Sequence, residues 1–320
     1  MADALFSPPL EAIRTALGGT ADSAAGRPAL TLLDRALGAY LGLAVGDALG
    51  ATVEFMTPRE IRTLYGTHQH IIGGGWLKLK PGQVTDDTTM ALALGDAMVK
   101  ARGWDLREIG EHYVAWLRGM PVDCGNTCRR GIRRYMLDGT LEAAFNEGDA
   151  GNGAVMRNLP AVLGFVHDDA LLVRHSLEQG RLTHNHPLSD IANASLARMT
   201  ASLLRGEPLS RARSLADELF AQEPKFAIDN YRGRATGYIV DTMQTVLYHF
   251  FTHEDFESML IAVVNRGDDA DTTGALAGML AGARFGLRAL PRHWLRKVDP
   301  HIRHRIEVQT RQLLALQPKG

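Results

Sequence analysis

From Leu32 onward the chain repeats apolar stripes at helical spacing, separated by short polar breaks. Leu33, Leu37, Tyr40, Ala44 and Ala48 recur at intervals of three and four, and Leu41, Leu43 and Val45 between them are apolar too. A helix apolar on nearly every side belongs in the middle of a core. The same periodicity predicts helices over 88–101, 105–117, 127–137, 190–204, 235–250, 254–264, 273–285 and 303–316. Period-two runs of β-branched residues between turns, which mark strands, are nearly missing. Residues 1–29 mix Pro, Gly, Ala and Ser, as in Pro8-Pro9 and Gly18-Gly19, and read as a mobile leader with a helical turn or two around 10–17. Gly73-Gly74-Gly75-Trp76 reads as a loop leading toward Val84. No linker divides the remainder, so residues 30–320 read as one compact all-α domain of a dozen or so helices.

Composition narrows the function classes. Thirty-five basic residues against 36 acidic leave a net charge of −1, so phosphate backbones have little to attract them and no nucleic-acid partner is expected. The longest apolar stretches, 36–46 and 274–283, are closed off by Asp47 and Arg284. Both fall short of the ~20 residues a span requires, so no integral membrane segment is expected. No basic region precedes an apolar stretch at the N-terminus. Cys124 and Cys128 are too few for a disulfide scaffold and read as reduced thiols of a cytoplasmic protein.

Two segments carry the chemistry. Thr85-Asp86-Asp87-Thr88 and Asp268-Asp269-Ala270-Asp271-Thr272 each stand directly ahead of a helix rich in small apolar residues. Asp and Thr are good helix caps, and a cap alone would explain one such residue. It does not explain two adjacent carboxylates in one segment and three within four residues in the other, which repel one another. Hard divalent cations held by carboxylates and hydroxyls resolve that repulsion. The small residues Gly274, Ala275, Ala277 and Gly278 would let two such helices approach closely. Arg129, Arg130, Arg133 and Arg134 form either a solvated helix face or a docking surface for an acidic partner.

These segments also carry a resemblance. Residues 42–50 with Gly46-Asp47, then Glu54, Thr85-Asp86-Asp87-Thr88 and Asp269-Ala270-Asp271-Thr272, resemble the ADP-ribosylglycohydrolase family. Segments 121–123, 125–135, 147–153, 183–190 and 238–247 extend the likeness, in order, from about residue 35 to the C-terminus. The resemblance implies an all-helical fold holding two divalent cations, Mn²⁺ foremost and Mg²⁺ in some relatives. Their ligands would be Thr85, Asp86, Asp87, Asp269, Asp271 and Thr272. Glu54 would orient a water near the metals, or is a plain helix-end glutamate, and Asp123 would be the catalytic carboxylate.

The resemblance further implies a nucleotide site. Asn126 and the loop Gly151-Asn152-Gly153 with Met156 and Arg157 would hold the substrate, backbone N–H groups and a helix start facing the diphosphate. His184 would contact the distal ribose or diphosphate, and Tyr238 would stack on adenine. Their plainer readings are a turn, a turn histidine (as for His186) and a core tyrosine. The implied reaction is hydrolysis of the bond between ADP-ribose and a protein arginine, with ADP-ribosylated dinitrogenase reductase as protein substrate. A PII-type signalling protein, recruiting the cytoplasmic enzyme peripherally to a membrane, belongs to the same implication, though no residue here establishes it. Two alternatives are a hydrolase of ADP-ribosyl-serine or other ADP-ribose derivatives, and a non-catalytic ADP-ribose binder. The complete carboxylate set and Asp123 speak against the last. Two departures stand out: a leader longer than the family needs, and Asp268 where a glycine is common.

Overall fold

Thr31 opens the first helix by accepting from the backbone N–H of Asp34, while the Asp34 carboxylate bonds back to the Thr31 backbone. In the structure, a computed structural model that describes residues 29–229 and 231–316, this helix is one of 14 among the described residues. They are α1 (Leu32–Gly50), α2 (Pro58–Tyr65), α3 (Asp86–Ala101), α4 (Leu106–Arg118), α5 (Asn126–Asp138), α6 (Leu159–Gly164) and α7 (Asp169–Arg181). There follow α8 (Pro187–Leu204), α9 (Leu209–Gln222), α10 (Ile239–Thr252), α11 (Phe256–Val264), α12 (Ala270–Phe285), α13 (Arg292–Lys297) and α14 (Pro300–Leu314). No strand occurs among the described residues, only isolated bridges pairing Gly74 with Leu79 and Gly151 with Tyr238. The all-α expectation holds. The leader expected at 1–29 lies, but for Ala29, outside the described residues.

All nine predicted helices are present with shifted ends, and five more accompany them. α6 and α13 are too short to show a period. The buried face of α7 carries His175, Ser176, Gln179 and Gly180, so its polar interior hid it from an apolar pattern. α9 does carry a clean stripe, Ala212, Leu215, Ala216 and Leu219, although no helix was expected there. The helix expected from 235 starts at Ile239, because Thr236 and Gly237 use their carbonyls to accept from the Thr242 hydroxyl and the Asn152 N–H.

α1 and α12 form the centre, antiparallel and in closest contact, with α3, α8, α10, α11 and α14 packed around them. Glycines spaced by four make the approach possible. A Cβ placed on Gly38, Gly42, Gly46 or Gly50 would stand 2.5, 2.2, 2.0 or 2.0 Å from the carbonyl oxygen of Gly282, Gly278, Gly274 or Ala270 respectively. This corrects the expectation that the small-residue face of α12 meets the other aspartate-rich helix: its partner is α1, and α3 touches it only lightly. The C-terminal end of α1 therefore lies against the start of α12. α14 closes the bundle through Gln309, which accepts from the Tyr40 hydroxyl and donates to Leu92 O and Asp96 Oδ1.

Candidate active site

The start of α3 is capped from another helix. Asp47, near the end of α1 and 0% exposed, accepts from Thr85 N at 2.9 Å, Thr88 N at 3.1 Å, and both threonine hydroxyls at 3.0 and 2.5 Å. Thr85 gives α3 no side-chain cap of its own, and neither does Asp269 at the start of α12. Asp86, Asp87, Asp269 and Asp271 are thus released from the capping duty that would have explained them.

They converge instead. Asp87 Oδ2 accepts from the Thr272 hydroxyl at 3.3 Å, and the Thr85 hydroxyl, whose one proton faces Asp47, lies 3.2 Å from Asp87 Oδ2 and 3.3 Å from Asp271 Oδ2. Asp86 Oδ2 accepts from Gly125 N at 3.1 Å. Oxygens of Glu54, Asp269 and Asp271 lie within 4.8 Å of one another. Burial first, and then mutual repulsion, pushes Glu54 up to about 8 and Asp86 up to about 7. The same causes hold Asp87 and Asp271 well above the ordinary carboxylate range. Burial pushes Asp47 up to about 6, against the hydrogen bonds from Thr88 and Thr85. Asp87 Oδ1 is buried with no partner. An orphaned carboxylate oxygen among repelling neighbours, in an all-oxygen donor set, fits hard divalent cations such as Mg²⁺ or Mn²⁺.

A cleft of about 670 Å³ opens over this floor. Its lining takes in Glu54, Asp86, Asp123, Asn126, Gly151, Asn152, Gly153, Met156, His184, Asp269, Asp271 and Thr272, so most of the sequence-predicted residues meet in one place. Thr85 and Asp87 lie behind the floor, joined to it through the hydroxyl contacts above. Asp123 approaches from the loop before α5, its Oδ1 accepting from Cys124 N at 2.8 Å, and burial raises its pKa. It does not cap α5, whose N-cap is Gly125 without a side-chain bond. Another large cleft, about 590 Å³, holds Asp96 and Asp299. Those two are committed elsewhere, to Arg305 and to the start of α14.

The nucleotide wall differs in part from expectation. Asn152 donates through Nδ2 to Asp269 Oδ2 at 2.6 Å and to the Thr242 hydroxyl at 3.0 Å, which ties the loop to the metal side. The glycines on either side make room for His184: a Cβ on Gly153 would sit 2.7 Å from its Cε1. No helix starts at this loop. A turn follows Gly153, and α6 begins only at Leu159. Arg157 does not reach the cleft. It is 0% exposed, donating to Gln179 Oε1, Gln179 O, the Thr183 hydroxyl and Cys128 Sγ, with its guanidinium 4.8 Å from the Tyr113 ring centroid. Its part is indirect: it donates to the Thr183 hydroxyl, which lies 2.8 Å from His184 Nδ1 and 3.5 Å from Gly180 O. Burial, then Arg157 and Arg130, hold His184 well below its ordinary pKa. A neutral imidazole near neutral pH results.

Tyr238 is not a core residue. It stands just before α10, 40% exposed, and is not among the residues lining the cleft, though its backbone is bridged to Gly151, which is. The arginine stripe of α5 is mostly a brace. Arg130 pairs with Asp149, Arg134 donates to Thr140 O and Leu182 O, and Arg129 donates to Cys124 O. Cys124 and Cys128 are unbridged, and burial pushes the Cys128 thiol up to about 12, leaving it inert.

Sequence reasoning missed Asp47, Phe55 and Trp76 as site residues, and left Asp268 between tuning metal affinity and facing solvent. An aspartate closing an otherwise apolar helix was a usable signal for Asp47. Phe55, Trp76 and Asp268 line the cleft mouth from loops, where no period marks them.

The chain is similar to known proteins over most of its length. The sequence model described as ADP-ribosylglycohydrolase matches residues 28–320. The chain is 55% identical over 283 residues to the ADP-ribosyl-[dinitrogen reductase] glycohydrolase of Rhodospirillum rubrum, covering 88% of this chain and 96% of that one. It is 32% identical over 286 residues to the ADP-ribosylarginine hydrolase Tri1 of Pseudomonas putida (strain GB-1), covering 83% and 74%. A solved structure titled ADP-ribosylglycohydrolase-related protein complex superposes with a TM-score of 0.79 at 35% identity, covering 89% of this chain and 98% of that one.

Proposed function

Since the chain belongs to the ADP-ribosylglycohydrolase family, we propose that it hydrolyses the bond between ADP-ribose and a protein arginine, with ADP-ribosylated dinitrogen reductase as its substrate. The observation that carries this is the 55% identity across 96% of the Rhodospirillum rubrum enzyme. The buried carboxylate floor beneath a cleft of about 670 Å³ supports it. Two divalent cations, Mn²⁺ or Mg²⁺, fit Asp86, Asp87, Asp269 and Asp271 with the hydroxyls of Thr85 and Thr272. When bound they would supply Lewis acidity at ribose oxygens and make nearby water more acidic.

The remaining roles belong to the chain's own groups. Asp123 lines the cleft with Asp269, its pKa raised by burial, and is suited to accept the proton released at the ribose. Water's oxygen joins C1″, the C1″–N bond breaks, and the departing guanidine takes up a proton. Glu54, its Oε2 accepting from the Trp76 indole N–H and its carboxylate beside Asp269 and Asp271, is placed to orient a water at the metals. His184 offers a ring nitrogen to the diphosphate or distal ribose, Asn152 holds the loop and Asp269 together, and Tyr238, bridged to Gly151, stacks on adenine. No helix among the described residues is long and apolar enough to cross a membrane. Any membrane association in this reading runs through a partner, a PII-type signalling protein.

The test is direct. Purified protein is incubated with ADP-ribosyl-arginine and Mn²⁺, and free ADP-ribose is measured. Release is expected with the metal, and its loss in Asp269→Ala and Asp271→Ala. Full release by either variant in metal-free buffer contradicts the metal assignment. Cleavage of an ADP-ribosyl-serine peptide but not of ADP-ribosyl-arginine transfers the reading to that substrate class.

A further inference from the structure

Two residues at the mouth of the cleft stand in a backbone conformation that side chains avoid, and they hold each other there. Phe55 has φ 60° and Asp268 has φ 51°. Phe55 N donates to Asp268 O at 2.6 Å, and Asp268 N donates to Met56 O at 2.9 Å. Non-glycine residues held in the left-handed region cost stability and persist at functional sites because the surroundings enforce them. The enforced result is an exposed aromatic, Phe55 at 66%, beside an acidic side chain, where glycine would have relieved the strain.

Phe55 does not stand alone. Its ring centroid lies 5.2 Å from that of Trp76, 52% exposed, whose indole N–H donates to Glu54 Oε2 at 2.6 Å. Trp76 is rigidly carried. Gly74 and Leu79 exchange both backbone hydrogen bonds, the Thr52 hydroxyl donates to Gly73 O, and Gly75 packs so closely that a Cβ would meet Ala51 O at 2.4 Å. Large aromatics left in water on a rigid support, next to carboxylates and on the rim of a catalytic cleft, are the components of a guanidinium site.

Resting on the arginine reading above, we propose that Phe55, Trp76 and Asp268 form the subsite for the guanidinium of the modified arginine. The two rings offer π faces, and the Asp268 carboxylate offers the counter-charge. Before hydrolysis this lip holds the arginine side of the scissile bond, and afterwards the released guanidinium. The carboxylate that looked surplus in the sequence then acts on the leaving group.

The test uses the full-length protein with Mn²⁺ and three readouts: kcat and KM for ADP-ribosyl-arginine, inhibition by agmatine, and ADP-ribose affinity by calorimetry. Trp76→Ala and Asp268→Gly are the variants, the second folding without strain because glycine suits φ 51°. Loss of a cation–π contact should raise KM and weaken agmatine inhibition about 2- to 30-fold, with ADP-ribose affinity unchanged. Trp76→Phe, which keeps a ring but not the bond to Glu54, should restore KM and leave any remaining deficit in kcat. Parental KM and agmatine inhibition in both variants overturn the proposal. So does a parallel fall in ADP-ribose affinity, which would make the lip a general support for the cleft. If the parent protein itself releases no ADP-ribose from ADP-ribosyl-arginine, the arginine reading fails, and this proposal with it.

Discussion

Replacing Asp47 with alanine should cost the fold more than a buried aspartate usually does, because its carboxylate is the cap of a helix 38 residues away. Two buried backbone donors, Thr85 N and Thr88 N, lose their acceptor, at about 1–3 kcal/mol each. The buried Thr88 hydroxyl loses its acceptor as well, whereas the Thr85 hydroxyl still reaches Asp87 Oδ2 and Asp271 Oδ2. Against the loss stands a gain: a buried charge, held up to about 6, is gone and no longer repels Asp87. The net expectation is a destabilisation of about 2–4 kcal/mol. Asp47→Asn keeps one acceptor and turns an amide toward Thr88, so it should cost about half as much. Urea denaturation with EDTA reads this term directly. Repeating it in saturating Mn²⁺ reads the second consequence, a start of α3 too loose to hold Asp86 and Asp87 in register. Each tenfold loss of metal affinity removes about 1.4 kcal/mol of ligand-induced stability. If Asp47→Ala unfolds within 1 kcal/mol of the parent and gains as much from Mn²⁺, the cross-helix cap is not what positions the floor.

Gly46→Ala would place a Cβ 2.0 Å from Gly274 O and force α1 away from α12. Melting should drop by the equivalent of at least 1–3 kcal/mol and hydrolysis by more than tenfold, and a parental melting point refutes the close-approach argument. In metal-free protein, Glu54, Asp86 and Asp47 titrate at about 8, 7 and 6, all above an unfolded carboxylate near 4. The folded state therefore binds the extra protons, and stability should rise as pH falls from 8 toward 5. Saturating Mn²⁺ should flatten that slope, and a metal-free melting temperature that falls over the same interval contradicts the sign. Asp123→Asn should lower turnover by about 10²–10⁴-fold with bound Mn²⁺ and ADP-ribose affinity near parental. Near-normal turnover removes Asp123 from the chemistry.

What could be read from the sequence was whatever is local. Asp86 with Asp87, and Asp269 with Asp271, are neighbours along the chain, so their surplus over capping can be counted residue by residue. The central position of α1 followed from its apolar residues on every face. Partnerships across the chain were not legible. The glycines of α12 announce that something comes close, but only the matching four-residue spacing at Gly38, Gly42, Gly46 and Gly50 identifies α1 as the partner. Arg157, just after the Gly-Asn-Gly loop, was a substrate contact by family resemblance. The turn after Gly153 carries it inward instead, where Gln179 and Thr183 from the polar helix α7 and its end satisfy it. Phe55 and Trp76 belong to loops, and their meeting is set by backbone geometry that residue type does not announce.

The glycine seam between α1 and α12 also has a meaning in time. Gly50 and Ala270, which meet at one end of it, are separated by 220 positions. At roughly 5–20 residues per second on a ribosome, α1 emerges roughly 10–45 s before its partner exists. Through that interval a 19-residue helix with no polar face after Arg35 has no native groove to enter. The catalytic floor cannot form in advance either, because Asp47 and Asp271 come together only when the seam closes. Assembly of this enzyme is therefore a late event of synthesis, and until α12 arrives α1 has only earlier native partners such as α3 to pack against.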